Sequence, residues 1–382
     1  MVRALVLVWL ATGCGRIGFA DRAGAGAGAD ATPPDAAAAI GFSQLTAYAD
    51  QTCALYRGKA YCWGSNASGQ IGDGTTNDAL VPTAVALPAG VVDALAQGQD
   101  HGCAIVDGTL ACFGSLGSPA PIAVLLPSPA TAVAAGRGFT CTIAGDTYCW
   151  GDNSNGQLGT GDTNPRAVPS RIDYAGPSAI VAIEAGDDHA CSLDAAGVAR
   201  CWGHDDDGAL GTGAEIGSAS SPVPVTAGIA VLPQIAGWHA CALQGGRVWC
   251  WGQGTSGELG DGGSTSTATP QLVPGLTNVT AVAVGGGPTD ADASCAIVGG
   301  TVKCWGNGFY GRLGQGAPDP SSVPIDVVGL PGPATEIAIG YDHACATLAD
   351  GDAWCWGRGD TGQLGNGARA TSYTAVRVTP PT

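Results

Sequence analysis

From residue 43 to the C-terminus, short alternating apolar segments recur, each stopped by glycine and followed by another of the same kind. Thr131–Ala135 runs through Gly136 into a segment around Cys141, and a tight turn leads to a second segment around Cys149. A loop of the form WG…G.LG.G follows. A run with Pro and Val then closes the unit, as in Val168-Pro169 or Val223-Pro224-Val225. Period-two alternation bounded by Gly and Pro predicts strands, and four short strands joined by turns make one propeller blade. The loop recurs as CWGSNASGQIGDG (62–74), CWGDNSNGQLGTG (149–161), CWGHDDDGALGTG (201–213), CWGQGTSGELGDG (250–262), CWGNGFYGRLGQG (304–316) and CWGRGDTGQLGNG (355–367), with a defective copy, CFGSLGSPA, at 112–120. Residues 43–382 thus hold seven units of about 49 residues, within the range of propeller blades.

Fifteen cysteines fall into seven close pairs and one remainder. The expected disulfides join Cys53 to Cys62, Cys103 to Cys112, Cys141 to Cys149, Cys191 to Cys201, Cys241 to Cys250, Cys295 to Cys304 and Cys345 to Cys355. In the second pair, Asp107-Gly108 is a two-residue turn signal, and counting outward sets Cys103 opposite Cys112 at a non-hydrogen-bonded position, where side chains lie closest. Arg57-Gly58, Gly245-Gly246 and Gly299-Gly300 give the same count. The ten-residue spacings fit three-residue loops with Gly197 and Gly351 in the left-handed conformation. The pair Cys141 and Cys149 departs from both patterns, so a bulge or a looser bridge is expected there. Zinc is disfavoured, because thiols eight to ten apart lack the knuckle spacing.

Composition narrows the function classes. Gly (63) and Pro (24) suit a turn-rich all-β chain, and a net charge of −17 repels polyphosphate, which argues against nucleic acid as a partner. Residues 1–13, MVRALVLVWLATG, read as a lipoprotein-type signal peptide: one basic residue, an apolar run, then small residues before Cys14. Cys14 is the expected lipidation site, its acyl chains anchoring the protein to a membrane. Residues 14–42, rich in Ala, Gly, Asp and Pro, read as a disordered tether. Seven staples require an oxidising compartment, so the expected location is outside the cytosol: the cell envelope, as an outer-membrane lipoprotein or at the cell surface.

The repeated H.C.L…G.V.CWG.N..GQLG.G resembles the RCC1 (regulator of chromosome condensation) repeat over residues 43–382, with WG and G.LG.G in six of seven copies. The resemblance implies a seven-bladed β-propeller, here with one hairpin disulfide per blade. Phe113 replaces Trp in blade 2 and its loop is missing, so a truncated or irregular outer edge is expected there. The family's founding member is a chromatin-associated exchange factor for a nuclear GTPase. Exported bacterial relatives include a propeller that clamps β-lactamases with its loop face. The resemblance therefore implies a monomeric, non-catalytic, cofactor-free module binding a protein or a surface glycan. Exchange-type regulation and surface carbohydrate binding remain as alternatives.

No nucleophile elbow, phosphate loop or metalloprotease motif appears. His101, His189, His239 and His343 share one repeat position, two before the first cysteine. Gln51, Phe139 and Ala293 interrupt that ring, which points to a recurring structural hydrogen bond rather than a metal site. The run from His204 to Asp207 misses the ligand spacing of a calcium loop and reads as a solvated turn. The six CWG tryptophans are expected between blades. Trp238, Phe309 and Tyr310 are the binding candidates, because their counterparts in other blades are small or polar. Trp238, beside a strand start, reads equally well as a buried side chain.

Overall fold

The computed structural model describes residues 41–115, 117–287 and 292–382. Cys14, the leader and all but the last two residues of the tether lie outside them. In blade 1 the strands are β1 (Phe42–Tyr48), β2 (Gln51–Tyr56), β3 (Lys59–Gly64) and β4 (Ala79–Ala84), paired antiparallel in chain order. The first strand therefore begins one residue before the boundary drawn from composition. Six further four-stranded sheets repeat this order, giving a seven-bladed all-β propeller.

Each blade is held first by its central hairpin. Directly opposite in the strand register stand Cys53 and Cys62 in blade 1, Cys103 and Cys112 in blade 2, and Cys141 and Cys149 in blade 3. Cys191 and Cys201 do the same in blade 4, Cys241 and Cys250 in blade 5, Cys295 and Cys304 in blade 6, and Cys345 and Cys355 in blade 7. All seven pairs are disulfides, with Cα atoms 4.0–4.1 Å apart. Arg57 (φ 51°) and Asp107 (φ 48°) open two-residue turns with both central residues in the left-handed region, the type whose twist matches paired strands.

The expectation of a bulge or looser bridge between Cys141 and Cys149 is corrected. Ala144 pairs with Asp146 around Gly145 (φ 79°), and the register runs unbroken to the cysteines, 4.1 Å apart at Cα. Their even spacing has the parity of Cys191 and Cys201 with the turn shortened by two residues, so the side chains still face each other. Closing loops of this size contributes about 2.5–3 kcal/mol per bridge in the chain-entropy account.

Between blades the packing is carried by the repeated indole. Trp63, Trp202, Trp251, Trp305 and Trp356 are fully buried. Each donates its indole N–H to a loop carbonyl of the preceding blade: Gln363, Gln157, Ala209, Glu258 and Arg312 respectively, at 2.7–3.0 Å. Blade 7 meets blade 1 in the same way, so the ring closes by side-chain packing and no strand is exchanged. The Glu336 carboxylate supports this seam by accepting the backbone N–H groups of Gln44 and Leu45, at the irregular register of β1.

Blade 2 has the truncated edge: its outer strand is only Ile122–Ala123. The consequence falls on blade 3. Trp150 has no G.LG.G carbonyl to bond, and it is 6% exposed where its five counterparts are sealed.

Candidate binding face

In every blade the first turn and the third-to-fourth loop emerge on one side. The residue after CWG ties them together by donating its backbone N–H to the turn carbonyl, as Ser65 does to Asp50, His204 to Asp188, Asn307 to Asp292 and Arg358 to Asp342, each at 2.9 Å. Aspartate fills this turn position in five blades (Asp50, Asp100, Asp188, Asp292, Asp342), with Gly138 and Trp238 in the others. Sequence reasoning noticed the histidine that follows and passed over this acidic ring, although the recurring Asp-His pair was the signal. Arginines answer most of it: Arg137 pairs with Asp188 at 3.0 Å, Arg358 reaches Asp50 at 3.7 Å, and Arg312 pairs with Asp342.

At the axis, this face is closed by residues from three blades. Tyr48 donates its hydroxyl to Asp187 at 2.5 Å, and Tyr341, its ring 5.6 Å from that of Tyr48, reaches the same oxygen at 3.4 Å. Burial pushes the Asp187 carboxyl up to about 7, with Asp292 and Asp188 adding repulsion against the opposing effects of Tyr48 and Arg137. Below the plug, inner-strand side chains such as Leu95, Val133, Ile235 and Ile339 leave a cavity of about 50 Å³, into which, among the described residues, Glu184 brings an ionisable group besides the tyrosines of the plug. Burial raises the Glu184 carboxyl well above the usual carboxylate range.

The histidines tie blades together. His101 bonds Thr140 at 2.8 Å, His239 bonds Ser294 at 2.8 Å and His343 bonds Thr52 at 2.7 Å, each hydroxyl lying in the next blade just before its first cysteine. His189 faces Ala240 at that position, and its Nε2 has no partner among the described residues. Burial holds His101 near 4 and His189 and His343 near 3, so all three are neutral at ordinary pH. Among the described residues, no group of three or more His, Cys, Asp or Glu is arranged to hold a metal. In the blade 4 loop, Asp205 is consumed by the backbone N–H groups of Leu210 and Ile216, while Asp206 points to solvent with His204 at 3.3 Å.

One residue decides how each loop ends. In blades 1, 3 and 7, the Gln of GQ(L/I)G accepts the backbone N–H two residues earlier: Ser68 to Gln70, Asn155 to Gln157, Thr361 to Gln363, at 2.9–3.0 Å. Glu258 does the same for Ser256 in blade 5. Blades 4 and 6 carry Ala209 and Arg312 there, and among the described residues no side-chain acceptor reaches that N–H. The preceding peptide is turned over, so the carbonyls of Asp206 and Phe309 now accept from Ala209 and Arg312. The result is a short 3-10 turn with Asp207 at φ 59° and Tyr310 at φ 58°. For a bulky side chain this conformation costs on the order of 1 kcal/mol.

In blade 6 the two residues at the tip of that turn are aromatic. Phe309 is 60% and Tyr310 48% exposed, on a loop pinned by Asn307 Oδ1 accepting the Phe309 N–H. Arg358 lies over the Tyr310 ring at 5.3 Å. Trp238 is on the same face in a different turn, half-buried, its ring 4.6 Å from that of His204 and its backbone N–H on Asp292. Of the three sequence candidates, the structure sets two side by side in solvent and packs the third into the frame.

The family model of the regulator of chromosome condensation (RCC1) repeat matches residues 57–105, 144–193, 245–289, 299–347 and 350–381, together more than half of the chain. The chain belongs to the RCC1 repeat family. A second RCC1 repeat model matches residues 180–209 and 334–363. The E3 ubiquitin-protein ligase HERC2 of Homo sapiens is 31% identical over 272 residues, which is 67% of this chain but 6% of the ligase. The ultraviolet-B receptor UVR8 of Arabidopsis thaliana is 28% identical over 347 residues, 85% of this chain and 78% of the receptor. Among solved structures, human WBSCR16 superposes with a TM-score of 0.74 at 22% identity, covering 84% of this chain and 94% of that one. Prp20p of Saccharomyces cerevisiae, described with its binding to Gsp1p and histones, gives 0.72 at 19% identity, covering 84% and 86%. These likenesses establish the RCC1-type propeller fold. No helix among the described residues is long and apolar enough to cross a membrane.

Proposed function

We propose that this RCC1-type propeller is an exported, envelope-held binding module without catalytic chemistry of its own, and that it engages its ligand with the loop face. One observation carries the reading: Phe309 and Tyr310 are exposed at the tip of a loop on a frame tied by disulfides and interblade bonds. Large aromatics fixed on a rigid scaffold are the anchors that binding surfaces use, since little side-chain entropy is lost on contact. Asp187, Asp188, Asp205 and Asp342 on this face are committed to tyrosines, arginines and backbone groups, which supports display over acid–base work. Seven disulfides support an oxidising compartment, and the leader ahead of Cys14 supports attachment there by a lipid.

Site-directed photocross-linking tests the face. A benzophenone side chain at position 309 should form adducts in envelope preparations, and one at position 57, in a hairpin turn on the opposite side, should not. Adducts from position 57 alone would overturn the assignment. Membrane fractionation tests the anchor: Cys14→Ala should release the protein to the soluble fraction, and retention would remove the lipid from the account.

A further inference from the structure

Beside the blade 6 loop, an open groove of about 560 Å³ runs between blades 5 and 6. Its size is that of a ligand site rather than a packing gap, and its chemistry is unusually uniform. Phe309 forms one wall. Thr255, Ser264, Ser322 and Asn307 contribute the polar atoms, and no residue lining the groove is ionisable. Gly257, Gly262, Gly263 and Gly308 leave the floor bare. At two of these the bareness is built in. A Cβ on Gly308 would lie 1.9 Å from the Asp319 carbonyl oxygen, and one on Gly257 would lie 2.6 Å from the Ser322 Cα.

Part of the hydrogen-bonding capacity of the groove is unspent. The hydroxyls of Thr255, Ser264 and Ser322 make no hydrogen bond within the described residues, while that of Ser321 is taken up internally by the Val323 carbonyl. Exposed carboxylates, Asp261 and Asp319, flank the lining on either side. A phosphate, sulfate or uronate would meet those carboxylates, on a chain of net charge −17, with no cation in the lining to compensate. A basic peptide would find no carboxylate within the groove and one aromatic wall in place of side-chain pockets. A neutral pyranose chain matches what is present: its C–H face lies against a ring, its hydroxyls exchange bonds with neutral hydroxyls and an amide, and its length suits an open trough.

We infer that the groove between blades 5 and 6 binds a neutral oligosaccharide, with Phe309 as its stacking platform. This rests on the loop face being the binding face and names its ligand class. The test uses the oxidised protein with neutral hexasaccharides of glucose, mannose, xylose and N-acetylglucosamine, and hexagalacturonate as the charged control, followed by calorimetry and by amide shifts of residues 255–264 and 307–322. At least one neutral chain should bind and shift these amides, and hexagalacturonate should not. Phe309→Ala should weaken binding at least tenfold without moving the unfolding midpoint, Phe309→Tyr should retain it, and Ser264→Ala and Ser322→Ala should each weaken it a few-fold. No binding by any neutral chain at millimolar concentration, tighter binding of the charged chain, or binding indifferent to Phe309→Ala would overturn the inference. Adducts at position 309 would in those cases still uphold the loop face, so the two failures are distinguishable.

Discussion

Blade 2 and blade 6 are built on the same stapled hairpin and differ in nearly everything beyond it. Blade 6 keeps the buried Trp305, bonded at 2.7 Å to the Glu258 carbonyl of blade 5, and carries a full loop with two displayed aromatics. Blade 2 has Phe113 in place of the indole, a two-residue outer strand and no G.LG.G loop. Its Cys103 and Cys112 nevertheless lie 4.1 Å apart at Cα, against 4.0 Å for Cys295 and Cys304. The inner strands and the bridge thus form a frame that tolerates loss of the outer layer. The loop is where one repeat can be specialised, and the neighbour feels it only through the carbonyl that the loop offers the next blade's indole.

The largest effect expected to separate the two blades is one of pH. Blade 2 carries buried His101 where blade 6 has Ala293. A histidine held near 4, against an unfolded value near 6.5, contributes stability that is complete above 6.5 and is lost as the pH falls toward 4. Asp187, raised to about 7, has the opposite sign: the folded state takes up its proton first, so its contribution grows as the pH falls from 7 toward 4. Each such group moves stability by on the order of a few kcal/mol, in opposite directions. In urea unfolding across pH 4–7, His101→Gln, which copies Gln51 of blade 1, should lose less stability on acidification than the parent. Asp187→Asn should lose more. Parallel curves for all three proteins would contradict this.

Truncating the frame comes next. Trp305→Ala should cost about 3–5 kcal/mol by denaturant unfolding, as expected for a large buried aromatic. The milder Trp305→Phe should cost about 1 kcal/mol more than Trp150→Phe, because only Trp305 forfeits a loop carbonyl bond. Equal costs would mean that the interblade bond contributes nothing.

A smaller change should stabilise. Ala240→Ser places in blade 5 the hydroxyl that Thr140 offers His101 in blade 3, and so gives His189 Nε2 the partner it lacks among the described residues. The gain should be about 1 kcal/mol by thermal unfolding, and no gain would show that the repeat geometry is not interchangeable. Smallest of all, Tyr310→Asn should raise stability by roughly 0.5 kcal/mol, since asparagine tolerates the left-handed backbone, while removing one of the displayed rings.

Much of the frame was legible in the sequence because it is periodic. The Cys spacing, the turn glycines and the CWG offsets each repeat, and parity alone places six cysteine pairs. The seventh, Cys141 with Cys149, escapes that reading because Gly145 makes a shorter turn than two- and three-residue loops. Phe309 and Tyr310 stand out as large residues at positions otherwise small or polar. The backbone that carries them was not legible: its peptide is turned over where Gln gives way to Arg312, a contact within the loop that no hydrophobic pattern records. The groove was hidden for a related reason, since its walls come from two blades about fifty residues apart.

The central claim is that the residue at the Gln position sets the backbone conformation of the loop tip. A crystal structure of the Arg312→Gln protein tests it directly. The account predicts that the introduced amide accepts the Tyr310 backbone N–H, that φ at Tyr310 becomes negative, and that Phe309 and Tyr310 take the positions of Ala67 and Ser68 in blade 1. A loop that keeps Tyr310 near φ 58° would contradict it.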